Sequence, residues 1–426
     1  MRRSLLLVML LAACGDDSRV GAPPLDVGRP GVAVVKARRA ASDHVLLLEA
    51  PTPLADVERP DRALRRFRAG GAVVDYAAAP GATIADFAAH PGGAVSVLLV
   101  GDAGYAIERW QPDGTQSGAV AIAGILPTRW SRDAGRIAAL DDDAVVALRA
   151  DDSSVRAQRY TPDGAGYRRS WDAMVEPGND LLPSGLISGS YDTFGQLRDP
   201  FHVYLDIAGD GGVWIAVPID PASDLLAAHN AAFGDQLGFL GDRPSADAVV
   251  TRLAAGGDRA FGRMVGTPSR DEVHGLRAIG DGVLVVGRAE THPGDAGGWD
   301  GLLAQVDAAG NASARTLDVT AGDILFDADV LSAGRTIVVG GTGYTDNPSG
   351  GSISEACALL ALVVTEQGQA TLALPSLPRN NHLRTLLVEG ASLWVAGMAD
   401  GPGTHSGDSD PAAIRADPFV ATLAVP

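Results

Sequence analysis

Apolar and polar residues alternate in short runs along most of the chain, and nearly every run ends at a turn containing glycine. Val155-Arg-Ala-Gln-Arg-Tyr-Thr-Pro-Asp-Gly164 shows the pattern. Its period of two predicts a half-buried strand, and Pro-Asp-Gly predicts a tight reversal. The same strand and turn recur at Ala63–Gly70, Ala106–Gly114, Val249–Gly256, Leu303–Gly310 and Leu362–Gly368. A last copy, Phe419–Val425, ends before any second strand. Between these copies lies another hairpin, clearest in Val273–Gly287 and Ala328–Gly340, matched by Leu386–Gly397, Ala85–Val100 and Val203–Val217, and weaker at Arg136–Arg149 and Val32–Glu49. Its second arm is a continuous Val/Leu/Ile run, which suits a strand buried on both faces.

Two hairpins make a four-stranded unit, and most turn glycines lie roughly 40–60 residues apart, the length of a propeller blade with its loops. The repeat predicts an all-β fold, a seven-bladed β-propeller of four-stranded antiparallel blades spanning residues 31–426. The pattern resembles bacterial propeller repeat proteins of the NHL and SBBP kind, which implies the same architecture. The long gap between Gly164 and Gly256 is read as one blade with two insertions, although it has room for an eighth blade. One insertion predicts a short helix over 220–234, with Asp220 as cap, Pro221 at its first position and Gly234 closing it. The last blade lacks its outermost strand, so a stretch within residues 22–30 is expected to supply it and close the ring.

With strands labelled a to d from the axis outwards, the a–b and c–d links are the tight turns. The d–a and b–c links, at 123–135, 171–200, 218–247, 289–300, 341–357 and 400–417, are longer. In an up-and-down blade both kinds of long link emerge on one face, which is therefore the expected binding face. The candidate ligand-binding residues in these loops are His292, Asp295 and Trp299, then Tyr344 and Asp346, then His405, Asp408 and Asp410, with His229 in the helical insertion. His274 and His382 are expected at equivalent places near the start of the inner strand. Imidazoles, carboxylates and rings in such loops suit a glycan or a divalent metal. None of the pairs has metal-like local spacing, so no metal ligands are assigned and no cofactor is expected.

Composition restricts the partners. The 426 residues include 53 glycines and 26 prolines, too much punctuation for long helices, and carry 34 basic against 52 acidic side chains for a net charge of −18. Lys36 is the single lysine. This excludes a P-loop and argues against nucleic acid as a partner. His-Glu-x-x-His and Gly-x-Ser-x-Gly are absent. Ser131-Arg-Asp-Ala-Gly135 matches only the front of an Asp-box, and Asp141-Asp-Asp143 is expected to be a turn between strands. Cys357, ahead of an apolar run, is expected to be a small buried hydrophobe.

The first residues, Met1-Arg-Arg-Ser4, an apolar run from Leu5 to Leu11 and Ala12-Ala-Cys14, have the order of a secretory signal. Leu11-Ala-Ala-Cys14 resembles the lipobox of bacterial lipoproteins. That resemblance implies a signal peptide over 1–13, lipidation at Cys14, a tether over 14–30, and membrane attachment through acyl chains in the bacterial cell envelope. Gly15 after the cysteine points to the outer membrane. Cleavage would remove Arg2 and Arg3 and no acid, taking the net charge from −18 to −20. The expected role is a binding or scaffolding module for a protein or glycan partner rather than an enzyme. The alternative is a hydrolase or lyase acting on an extracellular polymer at the propeller axis.

Overall fold

The computed structural model describes residues 32–424 apart from 42–43, 52–61, 69–70, 79–80, 127–134, 151–153, 165, 179–202, 220–223, 242–246, 294, 296–297, 333, 344–357, 373, 375–381, 390–391 and 401–415. The alternating runs pair as expected into seven antiparallel sheets, each formed by consecutive strands. Blade 1 holds β1 (Val32–Ala41), β2 (His44–Pro51), β3 (Ala63–Arg68) and β4 (Gly71–Ala77). Blade 2 holds β5 (Ala82–Ala89), β6 (Val95–Gly101), β7 (Gly104–Trp110) and β8 (Gln116–Ile122). Blade 3 holds β9 (Arg136–Leu140), β10 (Asp143–Arg149), β11 (Val155–Asp163) and β12 (Gly166–Glu176). Blade 4 holds β13 (Tyr204–Ile207), β14 (Val213–Ile219), β15 (Asp247–Leu253) and β16 (Arg259–Val265). Blade 5 holds β17 (Asp271–Ile279), β18 (Gly282–Glu290), β19 (Trp299–Val306) and β20 (Ala312–Leu317). Blade 6 holds β21 (Ile324–Ser332), β22 (Arg335–Thr342), β23 (Ala358–Thr365) and β24 (Gly368–Thr371). Among the described residues blade 7 has three strands, β25 (His382–Glu389), β26 (Ser392–Asp400) and β27 (Ala416–Ala424).

This is a seven-bladed β-propeller, and the long gap is a single blade with two insertions. The core is divided into slabs between neighbouring blades rather than gathered in one centre. Val145, Ala157, Val213 and Ile215 pack between blades 3 and 4. Leu284, Leu303, Val338 and Leu362 do the same between blades 5 and 6. Each slab combines the inner face of one sheet with the facing side of the next, so b strands such as β6, β10, β14 and β18 are buried on both sides, as their unbroken apolar runs require, while the c strands β7 and β11 alternate buried and half-exposed residues. The ring closes where Ala37 and Phe67 of blade 1 meet Ala396 and Val420 of blade 7. The expected closing strand within 22–30 lies outside the described residues.

The helix, α1 (Leu225–Phe233), starts later than the sequence predicts. Asp224, not Asp220, stands at its N-cap, and its side chain makes no capping hydrogen bond. Gly234 ends it as expected, at φ +70°, with its N–H on the Asn230 carbonyl. Leu225 and Leu226 bury against the blade 3–blade 4 slab, so tertiary packing, rather than a strong cap, places the helix. Asp141 and Asp142 form the expected turn, with Asp141 at φ 53°. Among the described residues no helix is long and apolar enough to cross a membrane.

The a–b and c–d links are two to five residues long in every blade that has them. The opposite face is elaborated unevenly. Blade 2 joins its b and c strands through a tight turn at Gly101–Gly104, while blade 4 carries α1 in that place. The loops are also shorter than expected at their ends: β12 continues to Glu176, and β19 already begins at Trp299.

Candidate functional site

The inner strands meet around the axis, and a repeated irregularity decides which of their residues face it. Pairing between strands a and b shifts by one residue between Val34 and Lys36, Ile84 and Asp86, Val273 and Gly275, Leu325 and Asp327, and Leu383 and Thr385. The residue skipped by each bulge is Val35, Ala85, His274, Phe326 or Arg384, and all five line an axial cavity of about 110 Å³. Three of them stack in neighbouring blades. His274 meets the Phe326 ring at 5.5 Å, and the Arg384 guanidinium lies 4.0 Å over its centroid.

Beyond the bulges the channel is charged and cross-linked. Lys36 Nζ donates to Asp86 Oδ1 at 2.6 Å and to the Phe87 carbonyl at 3.2 Å. Arg277 donates to both Asp327 oxygens at 3.2–3.3 Å. Acids from alternate blades each accept a backbone N–H of the following blade: Asp86 from Ile137 at 3.0 Å, Asp206 from Ala278 at 2.9 Å and Asp327 from Leu386 at 3.1 Å. Burial lowers the Lys36 pKa to about 8 against the opposing pull of Asp86. Burial also depresses Arg277, but Asp327, Asp206 and Asp329 more than reverse that and raise it. The cavity is well below the roughly 300 Å³ at which small-molecule pockets begin. Its paired carboxylates hold the blades together and are not placed as a free acid and base flanking a polymer.

The structure joins two of the expected residues, His274 and Trp299, through residues the sequence reading missed. Glu272 receives Arg288 at 2.7–2.8 Å, Arg270 at 3.1 Å and faces His274 Nε2 at 3.8 Å. Burial alone would raise the Glu272 pKa, but the charges of Arg288, His274 and Arg270 together hold it at about 2. The Arg288 guanidinium lies 4.0 Å over Trp299 and that of Arg270 lies 5.5 Å from it. Trp299 is therefore no exposed stacking platform: it is 4% exposed, on β19, and covered by cations. His292 and Asp295 do stand exposed in the 291–298 loop. That loop is tied by Gly298 N–H to Asp295 O at 2.9 Å and His292 N–H to Gly298 O at 3.0 Å.

His274 and His382 are not equivalent. The bulge makes Arg384 the counterpart of His274, while His382 takes the position of Glu272. Both strands carry the bulge at the same place, so the difference is one of register: His274 follows Val273, the residue paired with the b-strand glycine, whereas His382 precedes its counterpart Leu383.

His229 is also displaced from its expected role. It is 0% exposed on the buried face of α1, with Nδ1 2.7 Å from Glu176 Oε2 and Nε2 2.9 Å from Asp235 Oδ2. Asp235 is further bound by Arg259, whose guanidinium lies 4.2 Å over Phe233. Burial would lower the imidazole pKa, but hydrogen bonds to two carboxylates and the Glu176 charge raise it. Both ring nitrogens are occupied, so His229 fastens the insertion to blades 3 and 4 and has no lone pair for a ligand. Cys14, Tyr344, Asp346, Cys357, His405, Asp408 and Asp410 and the 131–134 part of the Asp-box fragment lie outside the described residues, as does the side chain of His382.

No protein-family model matches the chain, and no curated protein matches it. Solved structures similar to it include the WD40 β-propeller domain of Doa1, 8% identical with 94% of this chain and 96% of that one covered and a TM-score of 0.45. A second is a chain of the mitotic checkpoint complex, at 10% identity, 96% and 98% coverage and a TM-score of 0.47. A third is YCF48 from Cyanidioschyzon merolae, at 10% identity, 96% and 98% coverage and a TM-score of 0.45.

Proposed function

We propose that this chain is a lipid-anchored propeller of the bacterial cell envelope that binds or scaffolds a protein or glycan partner through its loop-bearing face. The observation that carries this reading is the connectivity: short turns close one face, while every insertion, including α1 and the exposed His292 and Asp295, emerges on the other. The small axial cavity and the ion pairs that cross it support docking on that rim over chemistry at the axis. Attachment through acylated Cys14, cleavage after residue 13 and sorting to the outer membrane rest on the lipobox-like Leu11-Ala-Ala-Cys14. Kinship with NHL and SBBP repeats rests on the recurring glycine-turn hairpins.

Crosslinking in intact envelopes, followed by purification of the full chain and of a variant lacking residues 401–415, tests the docking face. A discrete partner captured by the full chain and lost with the deletion supports it. Identical capture by both chains speaks against that loop as the contact. Palmitate labelling that disappears in Cys14→Ser tests the anchor separately.

A further inference from the structure

Two acids face each other at the same register in two successive blade junctions, and the two junctions treat them differently. Asp271 and Asp323 both stand two residues before the inner-strand position that pairs with the b-strand glycine, Gly287 or Gly340. Asp247 and Asp300 occupy matching places on the c strands, opposite Ile219 and Ala289. The residue after the d strand is Gly266 in the first junction and Asp318 in the second, following Val265 and Leu317.

In the first junction both Asp271 oxygens are used, Oδ2 by the Thr267 N–H and Oδ1 by the Thr267 hydroxyl at 2.9 Å. Burial and the neighbouring Asp247 raise the Asp271 pKa to about 7, so a proton relieves that pair. The second junction adds a third carboxylate instead. Oxygens of Asp300, Asp318 and Asp323 lie within 4.8 Å of one another. Asp323 is 0% exposed; its Oδ2 accepts the Val319 and Thr320 N–H groups at 2.7 and 3.2 Å. Its buried Oδ1 has no hydrogen bond. Burial raises the Asp323 pKa as well, against the opposing pull of the nearby Thr342 hydroxyl, which pairs with Thr320 Oγ1. No Arg, Lys or His among the described residues forms an ion pair with any of the three acids.

We propose that Asp300, Asp318 and Asp323 form a calcium site that clips blade 5 to blade 6 on the loop-bearing face. The donors are all hard carboxylate oxygens, with no nitrogen or sulfur to favour zinc. Calcium bonds of about 2.3–2.6 Å span oxygens up to roughly 5 Å apart, whereas magnesium at about 2.0–2.1 Å would require them to close to roughly 4 Å. Exposed Asp318 leaves room for water ligands, and buried Asp323 supplies the fixed oxygen through Oδ1.

The test is calorimetric titration of the purified full-length chain with CaCl2 after EDTA treatment, paired with melting temperatures in EDTA, CaCl2 and MgCl2. Expected is one calcium per chain with Kd on the order of 10⁻⁴ M, in the range of extracellular modules. At about a hundredfold excess over Kd, Tm rises by roughly 3–5 °C. Asp318→Asn changes an exposed side chain and keeps the fold, checked by circular dichroism; it should weaken binding at least tenfold and abolish the shift. Asp271→Asn, at the matching place next door, should leave calcium binding intact. Absence of calcium binding at 10 mM, an undiminished response in Asp318→Asn, or an equal response to MgCl2 would each overturn the assignment.

Discussion

Lys36, the single lysine of the chain, places its Nζ 2.6 Å from Asp86 Oδ1 in the axial channel, joining blades 1 and 2. Asp86 uses its other oxygen to hold the Ile137 N–H of blade 3 at 3.0 Å. Removing the acid strands a buried cation and a buried N–H, so Asp86→Ala should cost about 3–5 kcal/mol. Lys36→Met should cost less, because burial already lowers the lysine pKa to about 8 and so disfavours its charge. Urea unfolding of both variants measures the difference; equal losses would contradict the asymmetry.

The Glu176–His229–Asp235 chain gives a pH dependence of defined sign. His229 has a raised folded-state pKa, so its contribution is complete below the ordinary 6.5 and is lost as pH rises through the raised value. His229→Gln should destabilise the fold by about 2–4 kcal/mol at pH 6 and by less at pH 9. Urea midpoints at the two pH values test this, and a pH-independent loss would refute the role of the charge.

Asp271 works in the same direction for a different reason. Its pKa rises from 3.8 to about 7, chiefly through burial, so the native state holds a proton that the unfolded chain releases. Its contribution is complete below pH 4 and declines as pH rises towards and through 7. Asp271→Asn keeps the neutral form at every pH. The variant should gain on the native protein by about 1–3 kcal/mol between pH 5 and pH 8, read from paired denaturation curves.

Gly287 and Gly340 end the Val-Val-Gly runs that mark the b strands. A methyl group on either would overlap a backbone carbonyl of the inner strand, that of Glu272 or of Ile324. Gly340→Ala should therefore cost about 2–4 kcal/mol, well beyond an ordinary strand substitution. Gly334→Ala, whose added carbon meets no neighbouring atom, isolates the separate cost of a positive φ of 73°. Thermal unfolding of the two variants distinguishes overlap from backbone strain.

Much of the scaffold was legible in the chain because it is locally encoded. Period-two runs such as Val155–Tyr160 specify strands, and Pro-Asp-Gly and Ala-Ala-Gly specify turns, so blade number, strand order and the short and long faces follow from residues close in sequence. The candidate residues fared differently. Trp299 looked like a loop residue because nothing local shows that Arg288 and Arg270 cover it. His229 looked like a ligand because its two carboxylate partners come from β12 and from beyond the helix.

Local patterns along the chain specify a seven-unit repeat of hairpins, an acidic composition and a lipobox-like start. Tertiary structure alone decided what faces the axis and which acids meet. A bulge of one residue at Val35, Ala85, His274, Phe326 and Arg384 reverses the side-chain alternation in the inner strands and turns Lys36, Asp86 and Asp327 into the channel. Lys36 and Asp86, or Arg277 and Asp327, stand about one blade apart in the chain and become neighbours only when successive blades pack side by side. Asp300, Asp318 and Asp323 converge because the outer strands of blade 5 lead into the inner strand of blade 6. Such contacts depend on how whole sheets pack, and no period or spacing along the chain carries that information.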